Sequence, residues 1–143
     1  MQARPIQTLA VRTSARNEMI DVTDRLRKLI MSFNLLDGML VVYCPHTTAA
    51  VTINENADPD VKADMLKKLE ELVPKSEPYY GHGEGNSDSH VKASLVGSSV
   101  TVLVEKGRLV LGRWQGVYFC EFDGPRQREM MVKAVNLGPG DTD

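Results

Sequence analysis

The sequence has few of the features that mark membrane, secreted or nucleic-acid-binding proteins. Only two of its 143 residues are cysteine, and neither belongs to a CxxC pair that would indicate a zinc finger. No apolar run approaches the roughly 18 residues of a membrane span. The N-terminus has no apolar signal segment, so we expect a cytoplasmic protein. The formal net charge is −2, without the basic stripe typical of nucleic-acid binders.

The composition is that of a folded globular domain. Hydrophobic residues make up 42% of the chain and charged residues 25%, which excludes a disordered tail. The length suits one domain and no internal repeat divides it, so we predict a single domain over residues 1–143. Cys44 and Cys120 each lie in an apolar, strand-like run, which favours two buried, reduced thiols.

Hydrophobic periodicity predicts two main helices and many strands. A helical pattern begins at Val22 and should end before Gly38. Asp58 and Pro59 start a second helix, which has one apolar stripe and ends at Pro74. Residues 90–95 are compatible with a short third helix. The predicted strands are 6–13, 18–21, 39–44, 49–53, 100–105, 109–111, 116–122 and 129–135.

This order of elements predicts an α+β fold. The strands outnumber the helices, and Gly107 marks a tight hairpin between two of them. Both main helices fall in the first half of the chain, so we expect a mixed, mainly antiparallel sheet with two helices on one face. The segment 74–90 has no periodicity, and irregular loops of this length are usually functional or disordered.

All three histidines of the chain lie in polar segments at the ends of predicted elements. His46 opens an HTT motif, and His82 and His90 enclose the glycine-rich segment around GHGEGNSDSH. Neutral imidazole is a common transition-metal ligand, and three histidines with an open position are typical of catalytic zinc. The spacing from His82 to His90 matches no established metal motif, so structural and acid–base roles remain alternatives.

The glycine-rich segment has a second interpretation as an anion site. Gly81, Gly83 and Gly85 allow backbone N–H groups to turn toward an anion, although the lysine of a P-loop is missing. Thr47 and Thr48 are candidate hydroxyl donors, and a surface loop without function is the alternative. Three basic residues are candidates for phosphate contacts: Lys92, Arg113 and Arg126.

The segment GRWQGVYFCEFDGPR contains the only tryptophan of the chain. We expect Trp114 to pack in the core or at an interface. Glu121, Asp123 and Arg126 form a polar cluster after the predicted strand. The simplest interpretation of this cluster is a turn stabilised by the DGP sequence.

Three segments together resemble the YjbQ family: TTAAVTINENAD, GHGEGNSDSHVKASLVGSSVTV and LGRWQGVYFCEFDGPR. The match in order and spacing runs from about the first strand to Val135. The resemblance implies a small mixed sheet with helices on one side, assembled as a homotrimer. It also implies a cleft near the subunit contacts, lined by the histidines of the HTT and GHGEGN–SH motifs.

The resemblance and the motifs together select the site residues. The expected catalytic residues are His46, Glu55, His82, Asp88 and Arg113, with Glu55 as base and Arg113 on phosphate. The expected metal ligands are His46, His82 and His90. The expected contacts to a small-molecule cofactor are Thr47, Thr48, Gly83, Gly85 and Asn86.

The family is often labelled a secondary thiamine-phosphate synthase. Such an enzyme joins a pyrimidine methyl diphosphate to a thiazole phosphate and releases pyrophosphate, normally with Mg²⁺ and basic groups stabilising the leaving diphosphate. Mg²⁺ prefers oxygen ligands, whereas three histidines suit zinc, manganese or nickel. Three hypotheses follow: an enzyme acting on a phosphorylated metabolite, a non-catalytic metal- or metabolite-binding trimer, and a trimeric scaffold for a partner protein.

Overall fold

The computed structural model describes residues 2–138, which form nine strands and three helices. The strands are β1 (Gln2–Ala3), β2 (Gln7–Arg12), β3 (Glu18–Asp21), β4 (Asp37–Tyr43), β5 (Ala49–Glu55), β6 (Ser99–Glu105), β7 (Arg108–Leu109), β8 (Gln115–Glu121) and β9 (Gln127–Asn136). The helices are α1 (Thr23–Ser32), α2 (Pro59–Leu72) and α3 (Ser87–Val96). The predicted α+β class is confirmed. Residues 1 and 139–143 of the predicted domain lie outside the described range.

The strands form two sheets. The larger has the order β1–β9–β4–β6–β7, with β2 also paired to β9, and the smaller has the order β3–β8–β5. Every strand pair between residues 2 and 138 is antiparallel. The sequence predicts one mixed sheet. The structure instead divides the strands between two sheets, and the chain passes from one sheet to the other six times between β2 and β9.

The main hydrophobic core involves both sheets. Leu40 of β4 and Val132 of β9 belong to the same buried cluster as Phe119 of β8, and none of the three is measurably exposed. Leu26 and Ile30 on one face of α1 complete this cluster. Helix α1 therefore packs against the side of the smaller sheet that faces the main core.

A second cluster covers the opposite side of the smaller sheet. Tyr118 and Cys120 of β8 pack there with Ala93 of α3, and Met65 and Leu69 of α2 lie against them. Because both faces of β8 are covered, all its residues except the first are buried. The two helices that share a face are thus α2 and α3, whereas the sequence predicts this arrangement for the first two helices.

Local sequence signals correctly predict the start of α2 but not the end of α1. Asp58 caps α2 as predicted, since its carboxylate accepts a hydrogen bond from the Asp60 N–H at 2.9 Å. Helix α1 ends at Ser32, and Asn34 then takes a left-handed conformation with φ 55°. Gly38 lies within β4 and not at the helix end; the Val135 carbonyl oxygen occupies the space a Cβ would need.

The two cysteines are buried and free, as predicted. Burial raises the pKa of the Cys120 thiol to about 12, and the neighbouring Cys44 adds to this shift. Burial also raises the pKa of Cys44. Both thiols therefore stay protonated at neutral pH, which makes either a poor nucleophile or metal ligand.

Candidate functional site

Two of the links that cross between the sheets lie beside one another. Residues 44–48 join β4 to β5, and residues 122–126 join β8 to β9. The register places Tyr43 opposite Met131 and Ala49 opposite Glu121, so these strand ends adjoin one another. Helix α3 starts beside them, where the Ser89 hydroxyl donates to the Phe122 carbonyl at 2.6 Å.

A polar groove of about 440 Å³ opens beside these two links and is called the histidine groove below. It is lined by Pro45, His46, Thr47, Thr48, His82, Glu84, Asn86, His90, Asp123, Arg126 and Arg128. His46, Thr47 and His90 also line an adjoining depression of about 450 Å³ against α3. All three histidines of the sequence thus line one groove, and a single chain suffices to bring them together.

His82 and His90 form a contacting pair in the groove. Their ring centroids are 5.5 Å apart and the rings are nearly perpendicular, at 87°. His82 is 45% exposed, and its Nε2 lies 4.0 Å from Glu84 Oε1. His90 is half-buried in the first turns of α3. The two rings are close enough to contact one small ligand together.

His46 is held by the backbone of β9. The β4–β9 pairing ends at Tyr43 and Met131, and in the same register Pro45 would fall opposite Glu129. Proline has no N–H to continue the ladder. The His46 ring contacts the backbone of Glu129 in place of the strand. Its Nε2 lies 2.9 Å from the Glu129 N–H nitrogen and 3.1 Å from the Glu129 carbonyl oxygen.

The surroundings of His46 also favour its neutral form. Burial and, next, the positive charge of Arg128 lower the pKa of His46 below its usual 6.5. The ring is therefore neutral at physiological pH. With Nε2 committed to Glu129, Nδ1 is the atom that remains for a ligand.

A buried ion pair supports this part of the groove. Arg128 donates through Nε and Nη2 to the two carboxylate oxygens of Glu121, at 2.8 and 2.5 Å, and through Nη2 to Thr48 Oγ1 at 2.8 Å. The Thr13 hydroxyl and the Asp123 N–H also donate to Glu121. Burial opposes ionisation of Glu121, but these hydrogen bonds outweigh it and lower the pKa of the carboxyl.

The predicted polar turn is present beside the ion pair. Arg126 donates through Nε to the Asp123 carbonyl and through Nη2 to Asp123 Oδ2, both at 2.8 Å. Asn86 Nδ2 donates to the same Oδ2 at 2.8 Å. The carboxylate of Asp123 therefore ties the start of α3 to the turn before β9.

Asp88 and Lys92 lie in a second buried network. Asp88 is not measurably exposed, and Arg16 donates to both of its oxygens, at 3.0 and 3.1 Å. Lys92, 1% exposed, donates to Asp88 Oδ2 at 3.2 Å. Burial opposes ionisation of Asp88, but these donors lower its pKa overall. Neither Asp88 nor Lys92 lines the groove, so the structure places them as an internal ion pair.

Glu55 and Arg113 lie at the far end of the smaller sheet. Glu55 ends β5 opposite Gln115, and Arg113 stands just before β8. A strand of this length separates Glu55 from the groove by about 20 Å. The Arg113 guanidinium stacks over Trp114, 4.6 Å from the ring centre. Trp114 is 53% exposed, so it does not pack in the core, and the alternative expectation of packing at an interface stays a prediction.

The remaining predicted contacts divide into two groups. Thr47, Thr48 and Asn86 line the histidine groove. Gly83 and Gly85 do not, and a Cβ placed on either would meet no atom within 4 Å. Gly85 has φ +71°, so glycine serves there to form the turn that precedes α3.

A three-histidine metal site does not fit the geometry of residues 2–138. Within that range, no three side chains among the histidines, cysteines and carboxylates converge in an arrangement that could hold a metal ion. His46 Nε2 is already bonded to Glu129, and Asp123 is bonded to Arg126 and Asn86.

The motifs in the sequence do not select two arginines that have defined roles in the structure. Arg128 lines the groove and Arg16 holds Asp88. A signal for Arg128 exists, because β9 alternates and Arg128 falls in register with the buried Met130, Val132 and Ala134. A charged residue at an inward position of a strand needs a buried partner. No comparable pattern surrounds Arg16, which lies in the link between β2 and β3.

Comparison with known proteins places the chain in a family. The model of the UPF0047 protein YjbQ-like family matches residues 7–137. The chain belongs to the YjbQ-like UPF0047 family. The predicted resemblance is therefore confirmed over nearly the whole chain.

Relatives of the YjbQ-like family are found in bacteria and archaea. The UPF0047 protein YugU of Bacillus subtilis is 51% identical over 130 residues, which cover 91% of this chain and 98% of that protein. A UPF0047 protein of Methanocaldococcus jannaschii is 49% identical, covering 87% and 90% of the two chains. The chain thus corresponds to nearly the full length of both relatives.

Solved structures of the YjbQ-like family have the same fold. An uncharacterised family member from Clostridium acetobutylicum is 50% identical with a TM-score of 0.88, covering 90% of this chain and 99% of that one. A YbjQ-like protein of unknown function from Sulfolobus solfataricus is 27% identical, also with a TM-score of 0.88, covering 94% and 99%. In this chain, no helix described between residues 2 and 138 has the length and apolar character to span a membrane.

Proposed function

We propose that this chain is a small-metabolite enzyme whose substrate carries a phosphate group and binds in the histidine groove. One observation carries the proposal: three histidines and two arginines line the same groove of a single chain. Imidazole exchanges protons near neutral pH, and guanidinium groups bind phosphate oxygens in pairs. This combination suits acid–base chemistry on a phosphorylated compound.

Arg126 is the candidate phosphate contact. Its Nε and Nη2 hold Asp123, while its Nη1 donates to no residue in the described part of the chain. The side chain is 49% exposed, so this free edge is accessible to a ligand. Thr47, also exposed in the groove, offers a hydroxyl to the same anion. Arg128 is neutralised by Glu121, and we assign it the role of fixing Thr48.

His82 and His90 are the candidates for proton transfer. Their rings are in contact, so a substrate placed between Arg126 and this pair would meet both imidazoles. One imidazole can take a proton from the attacking group while the other gives one to the leaving group. His46, neutral at physiological pH, contributes Nδ1 as a hydrogen-bonding atom that orients the substrate.

Within this class, we propose thiamine-phosphate synthesis as the specific reaction. The thiazole nitrogen would attack the methylene carbon of the pyrimidine diphosphate, and the carbon–oxygen bond would break as pyrophosphate leaves with the electron pair. The thiazole nitrogen has no proton to lose, so in this reaction the His82–His90 pair would act only as an acid toward the leaving pyrophosphate, beside the positive charge of Arg126. The assay is pyrophosphate release, which should depend on both substrates being present.

The test of the catalytic proposal compares a substitution in the histidine groove with one at the far end of the smaller sheet. His82→Ala should lower kcat/KM by at least about tenfold, because a proton-transfer group is removed. Asn54→Ala, at an exposed position of β5 remote from the groove, is the matched control and should retain the wild-type rate. Unchanged rates in both His82→Ala and His90→Ala would exclude the groove as the active site.

A second candidate function is a non-catalytic protein that binds a phosphometabolite, or a metal whose ligands come from more than one chain, because residues 2–138 of one chain form no metal site. The buried Arg128–Glu121 pair supports it, since a groove with a fixed wall can bind a ligand without turnover. Elemental analysis of protein purified without a histidine tag separates these cases. Stoichiometric zinc, manganese or nickel without turnover would support this candidate over the enzyme.

We also propose that the chain assembles as a homotrimer. Large apolar side chains remain more than half exposed in the single chain: Leu72, Tyr79, Leu95, Leu103 and Trp114. Helix α2 has no fully buried residue, so its apolar stripe has room for a further partner. Light scattering should give about three times the chain mass of 15.9 kDa. A monomer mass would contradict the proposal.

A further inference from the structure

One residue that lines the histidine groove has a buried polar atom without a partner. Asn86 is 6% exposed and lines the groove. Its Oδ1 is buried and accepts no hydrogen bond from any residue in the described range 2–138. Buried polar atoms of native proteins are nearly always hydrogen-bonded, so an exception inside a candidate site indicates a role in ligand binding.

The orientation of this amide is determined by its neighbours. Asn86 Nδ2 donates to Asp123 Oδ2 at 2.8 Å, and Arg126 Nη2 donates to the same oxygen at 2.8 Å. An ionised carboxylate can only accept hydrogen bonds. The nitrogen of the amide must therefore face Asp123, which leaves the oxygen on the other side.

Helix capping does not account for the amide oxygen. Asn86 is the residue before the first turn of α3, where asparagine usually accepts a hydrogen bond from a backbone N–H. Asp58, the corresponding residue of α2, makes this bond to the Asp60 N–H at 2.9 Å. The Asn86 side chain makes none, because Asp123 holds its amide away from the helix end.

We propose that Asn86 Oδ1 accepts a hydrogen bond from the substrate, so that the groove selects phosphorylated metabolites that carry a hydroxyl or amino group near the phosphate. The inference rests on the proposed function, in which Arg126 contacts the phosphate. Arg126 and Asn86 bind the same oxygen of Asp123, so their two nitrogens lie within about 6 Å of each other. The two side chains are therefore neighbours, and one small phosphate ester can contact both.

Two small phosphate esters test this inference. Ethyl phosphate and 2-hydroxyethyl phosphate differ by a single hydroxyl group two carbons from the phosphate. Calorimetric titration of the wild-type protein should show about tenfold tighter binding of the hydroxyl compound, since only this ester satisfies the buried oxygen. Equal affinities would overturn the inference while leaving phosphate binding intact. Binding of neither ester would overturn the proposed function together with it.

Substitution of the asparagine tests the assigned residue. Asn86→Leu should bind both esters equally, and Asn86→Ala provides a second variant of smaller volume if the leucine does not fold. Asn54→Leu, at an exposed position near the far end of β5, is the matched control and should keep the tenfold preference. A preference retained in the folded Asn86 variants would assign the discrimination to another residue and refute the proposal.

Discussion

The two ends of the smaller sheet carry similar polar residues but hold them differently. At the groove end, Glu121 is fully buried and bonded to Arg128, Thr13 and backbone N–H groups. At the far end, the Glu55 carboxylate makes no hydrogen bond within the described residues, and Arg113 stacks on an exposed ring. Residue type is thus the same at both ends, and only the first end holds its charged groups in a fixed geometry, as the proposed chemistry would require.

The largest expected effect is on stability at the groove end. Glu121→Gln removes the negative charge that compensates the buried Arg128, so the free energy of unfolding should fall by about 3 kcal/mol. Glu55→Gln is the same chemical change on the neighbouring strand and should alter it by less than about 0.5 kcal/mol. Urea unfolding followed by circular dichroism measures both. Equal effects would remove the contrast between the two ends.

The next effect is a dependence of stability on acid pH. Glu121 and Asp88 both have a lowered pKa in the folded chain, against ordinary values of 4.5 and 3.8. As the pH falls toward these values the unfolded chain takes up protons first, so the stability present above them is lost. His46, whose pKa is also lowered, adds a decline that begins near its ordinary value of 6.5.

Thermal unfolding between pH 8 and pH 3 tests whether stability falls as the pH falls. The melting temperature should be highest at neutral pH or above and decrease in two stages, first near pH 6.5 and then below about pH 4.5. His46→Gln should remove the first stage and leave the second. A melting temperature that rises on acidification would contradict the assignment of these groups.

The smallest expected effect is that of substitutions at the far end on the catalytic rate. Glu55→Gln and Arg113→Ala should change kcat/KM by less than about twofold, because both residues lie about 20 Å from the histidines along β5. His82→Ala under the same assay provides the contrast. A large loss in either far-end variant would indicate that a neighbouring subunit brings these residues to the groove, which would break the comparison.

Local signals account for the elements that sequence predicts best. The Asp58–Pro59 start of α2 is a property of a few adjacent residues, and the capping bond to Asp60 forms where it is expected. Strand β3 at Glu18–Asp21 has its predicted bounds. Helix α3 starts at Ser87 and not at His90, because Gly85 and Asn86 form the turn whose geometry the apolar pattern does not encode.

The placement of Glu55 shows where sequence reasoning fails. Glu55 follows the HTT motif closely in sequence, which makes it look like a neighbour of His46. The intervening residues form an extended strand, and each adds about 3.3 Å to the separation. Nearness along a strand therefore means distance in space, and Glu55 ends beside Gln115 at the other end of the sheet.

The sequence alone determined the α+β class, the family, the burial of both cysteines and the types of residue available for chemistry. These depend on composition, on local periodicity and on motifs that can be recognised one segment at a time. Only the tertiary structure decided that His46, His82 and His90 share a groove and that Asp88 is an internal partner of Arg16. Such contacts depend on how the chain crosses between two sheets, and no local pattern encodes that crossing.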